Sequence, residues 1–148
     1  FIPYGVIVDE FQHIVYENPD MTPAERDAAY LELEKKYRPY LSFDGIPYLE
    51  KGTRWQYQMH IYESPFYYID YCLAQVVALE FLVLSQENYD EALDRYLEHC
   101  KRGGLYPFGK LVKLAGLRSP FEKGALAEVA SSVETILASL RSAMKKEK

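Results

Sequence analysis

The sequence predicts an all-α chain, and three observations carry that prediction. Apolar residues recur at spacings of three and four through most of the chain, which lines one face of a helix rather than one face of a strand. Helix-starting signals, a Thr or Ser followed by Pro and then by Glu, stand at Thr22 to Glu25 and at Ser119 to Glu122. No stretch alternates apolar and polar residues as a half-buried strand does, and nothing repeats at a fixed period.

Phe1 to Gly5 reads as an irregular lead. Val6 to Asn18 follows as a helix with Val8, Phe11, Ile14 and Val15 on one stripe, ended by Asn18-Pro19-Asp20. Glu10, His13 and Glu17 share one of its sides. A Glu-x-x-His pair holds a di-metal centre only where a second copy faces it, and no second copy exists, so a polar helix face is the better reading. The next helix runs from Pro23 toward Arg38 and stops at Pro39, with Glu32 and Lys36 spaced to pair along a solvent-facing side. Tyr40 to Gly52, with Asp44-Gly45 and Pro47, is a loop long enough to wall a cleft or simply to connect. A helix holding Trp55, Met59 and Tyr62 comes after it.

Ser64-Pro65 has the form of an N-cap and a first-turn proline, so a new helix should begin near Pro65 and reach about Ser85. Carrying one helix through from Trp55 would set the proline ring against the Ile61 carbonyl, at a cost of about 3 kcal/mol. The second half of this rod is apolar on nearly all sides, which means burial, and Glu80 on it must be paired, exposed or protonated. Asn88 to Arg102 makes a helix with Tyr89, Leu93, Tyr96 and Leu97 expected inward, stopped by Gly103-Gly104. Phe108 to Ala115 is a short helix whose Leu111, Val112 and Leu114 are expected on the rod. The last helix, Ala125 to Met144, repeats Leu126, Val129, Val133, Ile136, Leu137 and Leu140 at helical spacing.

A chain of 148 residues suffices for a single helical domain with a real core. Its net charge of −5 gives no reason to expect nucleic acid, and Lys145 to Lys148 reads as a solvated helix end. Cys72 and Cys100 form no C-x-x-C pair and read as buried thiols of a cytoplasmic protein, with a disulfide between them as the open alternative. The run Val76 to Leu84 is interrupted by Glu80, so no membrane span or signal peptide is expected.

Arg54 to Ala74 stands apart: it gathers Trp55, five tyrosines and His60 around Pro65. Buried Tyr and Trp must satisfy their polar ends, so a core wanting only apolar area would use Leu, Ile or Phe instead. Tyr68 and Tyr71, three apart, share a helix face that Gln75 continues, and His60 lies on the preceding segment. One imidazole and two phenols can therefore converge.

The pattern His60-Ile61-(x3)-Pro65-Phe66-Tyr67-Tyr68-Ile69-Asp70-Tyr71-(x)-Leu73-Ala74 resembles the C-terminal signature of the oligoendopeptidase F branch of the thimet-oligopeptidase-like zinc metallopeptidases. Val8-Asp9-Glu10-Phe11-Gln12-His13 and Gly116-(x2)-Ser119-Pro120-Phe121 resemble further segments of that family, in matching order. The resemblance implies the C-terminal part of a helical catalytic lobe that hydrolyses short peptides. It further implies that His60 and Tyr68 face the catalytic zinc and hydrogen-bond the scissile carbonyl as it becomes an oxyanion, while Tyr71 binds the substrate backbone or holds Tyr68. Neutral His60 can donate from one ring nitrogen, and Tyr68 from its hydroxyl, without adding charge.

The family's zinc helix, H-E-x-x-H, is absent, and His13, His60 and His99 are each isolated. The chain is thus expected to be the final portion of a longer peptidase, as Phe1 in place of Met suggests. On this expectation zinc belongs to the parent enzyme, no metal is held by this chain, and the fragment alone is inactive. Its expected partners are peptide substrates and the missing N-terminal lobe, and apolar surface left uncovered would favour self-association. The competing reading, from the residues alone, is a non-catalytic helical module whose tyrosine-rich groove binds a peptide or protein.

Overall fold

A computed structural model describes residues 1–146, and among them every regular element is helical. The α-helices are α1 (Ile2–Glu17), α2 (Pro23–Tyr37), α3 (Met59–Glu63), α4 (Ile69–Glu87), α5 (Tyr89–Lys101), α6 (Phe108–Leu114) and α7 (Ala125–Lys146). The expected all-α class holds. Contacts gather into two compact units, Phe1–Cys72 and Leu73–Lys148, and α4 begins in the first and continues in the second.

The first unit is built on α1 and α2, whose Ile7, Phe11, Tyr30 and Leu33 form a buried core with Trp55 and Ile61 packed against it. Phe11 meets the Tyr30 ring edge-on at 5.2 Å and the Trp55 ring at 5.3 Å, so one phenylalanine joins both helices to the aromatic stretch. Helix α1 starts at Ile2, earlier than expected, because Pro3 falls in the first turn, where its missing N–H costs nothing. The supposed irregular lead is helix. Helix α2 carries the expected capping box: the Thr22 hydroxyl accepts from the Glu25 N–H at 3.3 Å, and the Glu25 carboxylate accepts from the Thr22 N–H at 2.7 Å.

Lys36 does not pair with Glu32. It reaches Glu10 of α1 at 2.8 Å, where the Tyr37 hydroxyl also donates, and Glu32 takes Lys35 instead. Those two donors, Lys36 first, hold the Glu10 carboxyl below the usual carboxylate range. An acceptor on a neighbouring helix thus outcompetes the one a turn away. Glu34, buried, lies between Arg38 at 3.5 Å and Arg54 at 3.7 Å, and Trp55 Nε1 donates to Asp27 at 2.8 Å. The 40–52 loop ends in a 3-10 turn, Leu49–Lys51, and at Gly52, where φ is +86° and a Cβ would run into the Asp27 carbonyl. The segment expected as one helix is two pieces, a 3-10 turn Thr53–Tyr57 and α3, divided at Gln58.

In the second unit the Asn88 side chain caps α5 by accepting from the Glu91 N–H at 3.2 Å. The α5 face expected inward is exposed: Tyr89, Leu93, Tyr96 and Leu97 all face out, and the small Ala92 is what the helix buries. Helix α7 likewise buries Ala125 and Val129 and exposes Leu126, Leu137 and Leu140. Of the α6 residues expected on the rod, Val112 is fully buried and Leu114 is exposed. Periodicity identifies an apolar face without saying what covers it. Ser119 to Glu122 closes a turn, with the Ser119 N–H 3.4 Å from Glu122 Oε1, and α7 starts only after Gly124. The basic end expected at Lys145 to Lys148 lies partly within α7; Glu147 and Lys148 fall outside the described residues.

Helix α4 is long and apolar enough to cross a membrane by length and composition. Glu80 stands at its middle, where a carboxylate in a spanning helix would cost about 3 kcal/mol. The helix buries only Cys72, Val76, Val77 and Glu80 well, so the burial on nearly all sides expected of the rod is not reached among the described residues. Glu80 is buried, with Oε2 unpartnered, and burial pushes its carboxyl above the ordinary range. A folded-state value above the unfolded one means the native chain binds the extra proton, so stability falls as pH rises from the unfolded toward the folded value. Replacing Glu80 with Gln should therefore leave stability little changed at about pH 4 and raise it at about pH 8, measured by denaturant unfolding of both chains.

Candidate functional site

The site begins with a turn. Pro65 and Phe66 follow α3, and Phe66 adopts φ of +61°, a left-handed conformation that costs an L-residue about 1–2 kcal/mol. Two contacts from α1 offset that cost. Gln12, 1% exposed, accepts the Phe66 N–H on Oε1 at 2.9 Å while its Nε2 donates to the Val8 carbonyl at 3.1 Å. The Phe66 ring meets those of His13 and Tyr16, each at 4.9 Å.

A left-handed residue cannot sit inside a helix, so Ser64-Pro65 does not open α4 as the cap pattern predicts. Helix α4 starts at Ile69, and Ser64 instead ends α3, its N–H donating to the His60 carbonyl. Tyr68 consequently lies at the entry to α4, with Tyr71 inside its first turn.

His60, Tyr68 and Tyr71 do come together. The His60 ring stands edge-on to Tyr68 at 4.9 Å and to Tyr71 at 5.8 Å, and the two phenols are 5.4 Å apart. Tyr67 joins them: its ring lies nearly parallel to His60 at 6.4 Å and edge-on to Tyr71 at 5.3 Å. Tyr67 and Tyr71 are exposed, whereas His60 and Tyr68 are half-buried. The Tyr68 ring also touches Phe1 and Tyr4 of the α1 end, and Gly5 lets α1 come close, since a Cβ there would overlap Cys72 Sγ.

The polar atoms divide into used and unused. His60 Nδ1 lies 2.6 Å from Gln58 Nε2, and Gln58 Oε1 accepts from the Tyr4 hydroxyl at 2.7 Å. Among the described residues neither His60 Nε2 nor the Tyr68 hydroxyl has a hydrogen-bond partner. Burial pushes the Tyr68 and Tyr4 phenols above their ordinary values, and the Tyr67 hydroxyl beside Tyr71 does the same there. All of these phenols keep their protons near neutral pH and remain donors.

Among the described residues no three His, Cys, Asp or Glu side chains come together as a metal-holding group. His13 pairs with Asp9 at 3.4 Å, and Glu10 is occupied by Lys36 and Tyr37, so the helix-face reading of this trio fits better than a ligand set. Cys72 is a buried free thiol and Cys100 an exposed one.

A family model described as Peptidase family M3 matches residues 1–131. The chain belongs to peptidase family M3. A crystal structure provisionally named oligoendopeptidase F is 53% identical, with a TM-score of 0.89. PZ peptidase A with an inhibitor is 54% identical, also at 0.89, and a protein provisionally named oligoendopeptidase F from Bacillus anthracis is 42% identical at 0.71. Each match covers 94% of this chain and 25%, 25% and 21% of the respective solved chains. The chain therefore spans about a quarter of the length of the structures it matches. No curated protein matches it. The similarity to oligoendopeptidase F read from the sequence holds, and among the described residues no group of three ligating side chains fits the metal that the resemblance implies.

Sequence reasoning passed over Tyr4, Gln12, Gln58 and Tyr67 as site residues. Tyr67 lay inside the pattern that carried the resemblance. Tyr4 and Gln12 act across 54 residues, and no local spacing signals such a contact. Replacing Gln12 with Leu leaves the Phe66 N–H without its acceptor and should cost about 1–3 kcal/mol in denaturant unfolding of the chain. The companion change Phe66→Gly, which removes the left-handed penalty, should recover part of that loss in the Gln12→Leu background.

Proposed function

We propose that this chain is the C-terminal part of the catalytic domain of a zinc metallo-oligopeptidase that hydrolyses short peptides. Its contribution is a set of neutral donors for the scissile carbonyl. The observation that carries this reading is the convergence of His60, Tyr68 and Tyr71 with His60 Nε2 and the Tyr68 hydroxyl unengaged.

Hydrolysis of a peptide bond places negative charge on the carbonyl oxygen, and preorganised donors at that oxygen are worth about 3–4 kcal/mol each. His60 and Tyr68 serve as those donors. Tyr71, exposed beside them and in contact with Tyr67, binds the substrate backbone. Zinc belongs to segments of the parent peptidase outside this chain, and these residues are confined to donating and binding. The isolated chain accordingly does not cleave peptides, and its free Cys100 suits the reducing cytoplasm. The exposed apolar faces of α5 and α7 support a further element of the proposal, that the rest of the peptidase packs there.

In the full peptidase, Tyr68→Phe and His60→Ala should each lower kcat by about tenfold or more on a quenched-fluorescence peptide, with smaller effects on KM. A tyrosine-lined groove that binds peptide without catalysis predicts the opposite split, a weaker KM at unchanged kcat. The isolated chain should run above its monomer mass in size-exclusion chromatography with light scattering, and a strictly monomeric profile would contradict the exposed-face assignment.

A further inference from the structure

We propose that Gln58 is a positioning residue that keeps the His60 proton on Nε2, and that Tyr4 sets the direction of the Gln58 amide. The inference rests on reading His60 as an oxyanion donor and goes further, by naming what makes the outward nitrogen the one that carries hydrogen.

A neutral imidazole holds one proton, and which nitrogen carries it is set by the bond the other one makes. Gln58 Oε1 receives the Tyr4 O–H at 2.7 Å, which leaves the same amide only its N–H to offer His60 Nδ1, 2.6 Å away. Nδ1 must then accept. The proton goes to Nε2, the ring nitrogen with no partner among the described residues. Turned over, the amide would present its oxygen to Nδ1, place the proton there and leave Nε2 as a bare lone pair, which repels an oxyanion.

Tyr4 decides between these two arrangements. Its phenol is half-buried on α1, and the guanidinium groups of Arg54 and Arg38 stand over its ring at 5.1 Å and 5.5 Å. The two cations oppose the rise that burial imposes on this phenol without reversing it, so the phenol keeps its proton and donates it to the amide. The backbone makes the contact possible. Residues two apart on a continuous helix do not face each other. Gln58 is instead the extended residue, φ −87° and ψ 91°, between the 3-10 turn and α3, so its side chain turns back onto His60. The interruption that defeats the single-helix prediction is what brings amide and imidazole together.

The test reads the tautomer directly, by 15N NMR of the 148-residue chain labelled at histidine. The expected spectrum shows His60 Nδ1 unprotonated and Nε2 protonated at about pH 8, a pH at which a free imidazole is neutral. Tyr4→Phe should release the amide and mix the two forms, and Gln58→Glu, which can only accept, should move the proton to Nδ1. In the full peptidase Gln58→Glu should lower kcat by about tenfold or more with KM little changed, while Gln58→Met loses less. A wild-type His60 protonated on Nδ1, or a Gln58→Glu chain whose tautomer does not move, overturns the proposal. Should the tautomer be as stated while His60→Ala keeps full kcat, the oxyanion reading fails and the Gln58 assignment stands.

Discussion

A single buried amide organises the first unit. Gln12 spends its N–H on α1's own backbone and its oxygen on Phe66, a residue in a conformation that side chains avoid. With that bond the chain reverses between α3 and α4, so that a histidine from one segment and tyrosines from the next meet within about 6 Å, the scale at which aromatic rings interact. Gly5 and Phe11 play supporting parts from the same helix, one by leaving room at Cys72 and the other by seating Trp55. Helix α1 is thus the platform, although every residue proposed to touch substrate lies on the later segments.

That arrangement explains how an ordinary helical core comes to carry so many hydroxyl-bearing aromatics. Tyr30 and Trp55 belong to the core, and Trp55 meets the usual requirement by donating to Asp27. Tyr67, Tyr68 and Tyr71 do not behave as core residues. They stay partly or largely exposed, and Tyr68 and Tyr71, both held above the ordinary phenol range, keep their protons, which is the state a neutral donor needs. The second unit has a different character, with broad apolar faces on α5 and α7 turned outward. A chain that spans about a quarter of its matched structures accommodates such faces readily within the larger peptidase proposed here.

Much of this was legible in the sequence because it depends on local rules. The Thr22 capping box and the stop signals at Pro39 and Gly103 act within a turn or two of themselves, and the helices they bound appear where expected. Local rules failed where a distant partner outbid them. Ser64-Pro65 has the form of a helix start, yet Gln12 claims the next N–H and moves the start to Ile69. Lys36 prefers Glu10 to Glu32 for the same reason. The apolar stripes of α5 and α7 show in the sequence as stripes, but their burial does not, since periodicity marks a face and is silent about its cover.

In the function proposed here, His60 and Tyr68 address one developing oxyanion. A crystal structure of the full peptidase with a phosphinic peptide, whose tetrahedral phosphorus stands in for the carbonyl carbon under attack, measures this most directly. The account predicts His60 Nε2 and the Tyr68 hydroxyl both at about 2.7–3.1 Å from the same phosphinyl oxygen. Either group turned away from that oxygen, or His60 approaching it through Nδ1, would contradict the account.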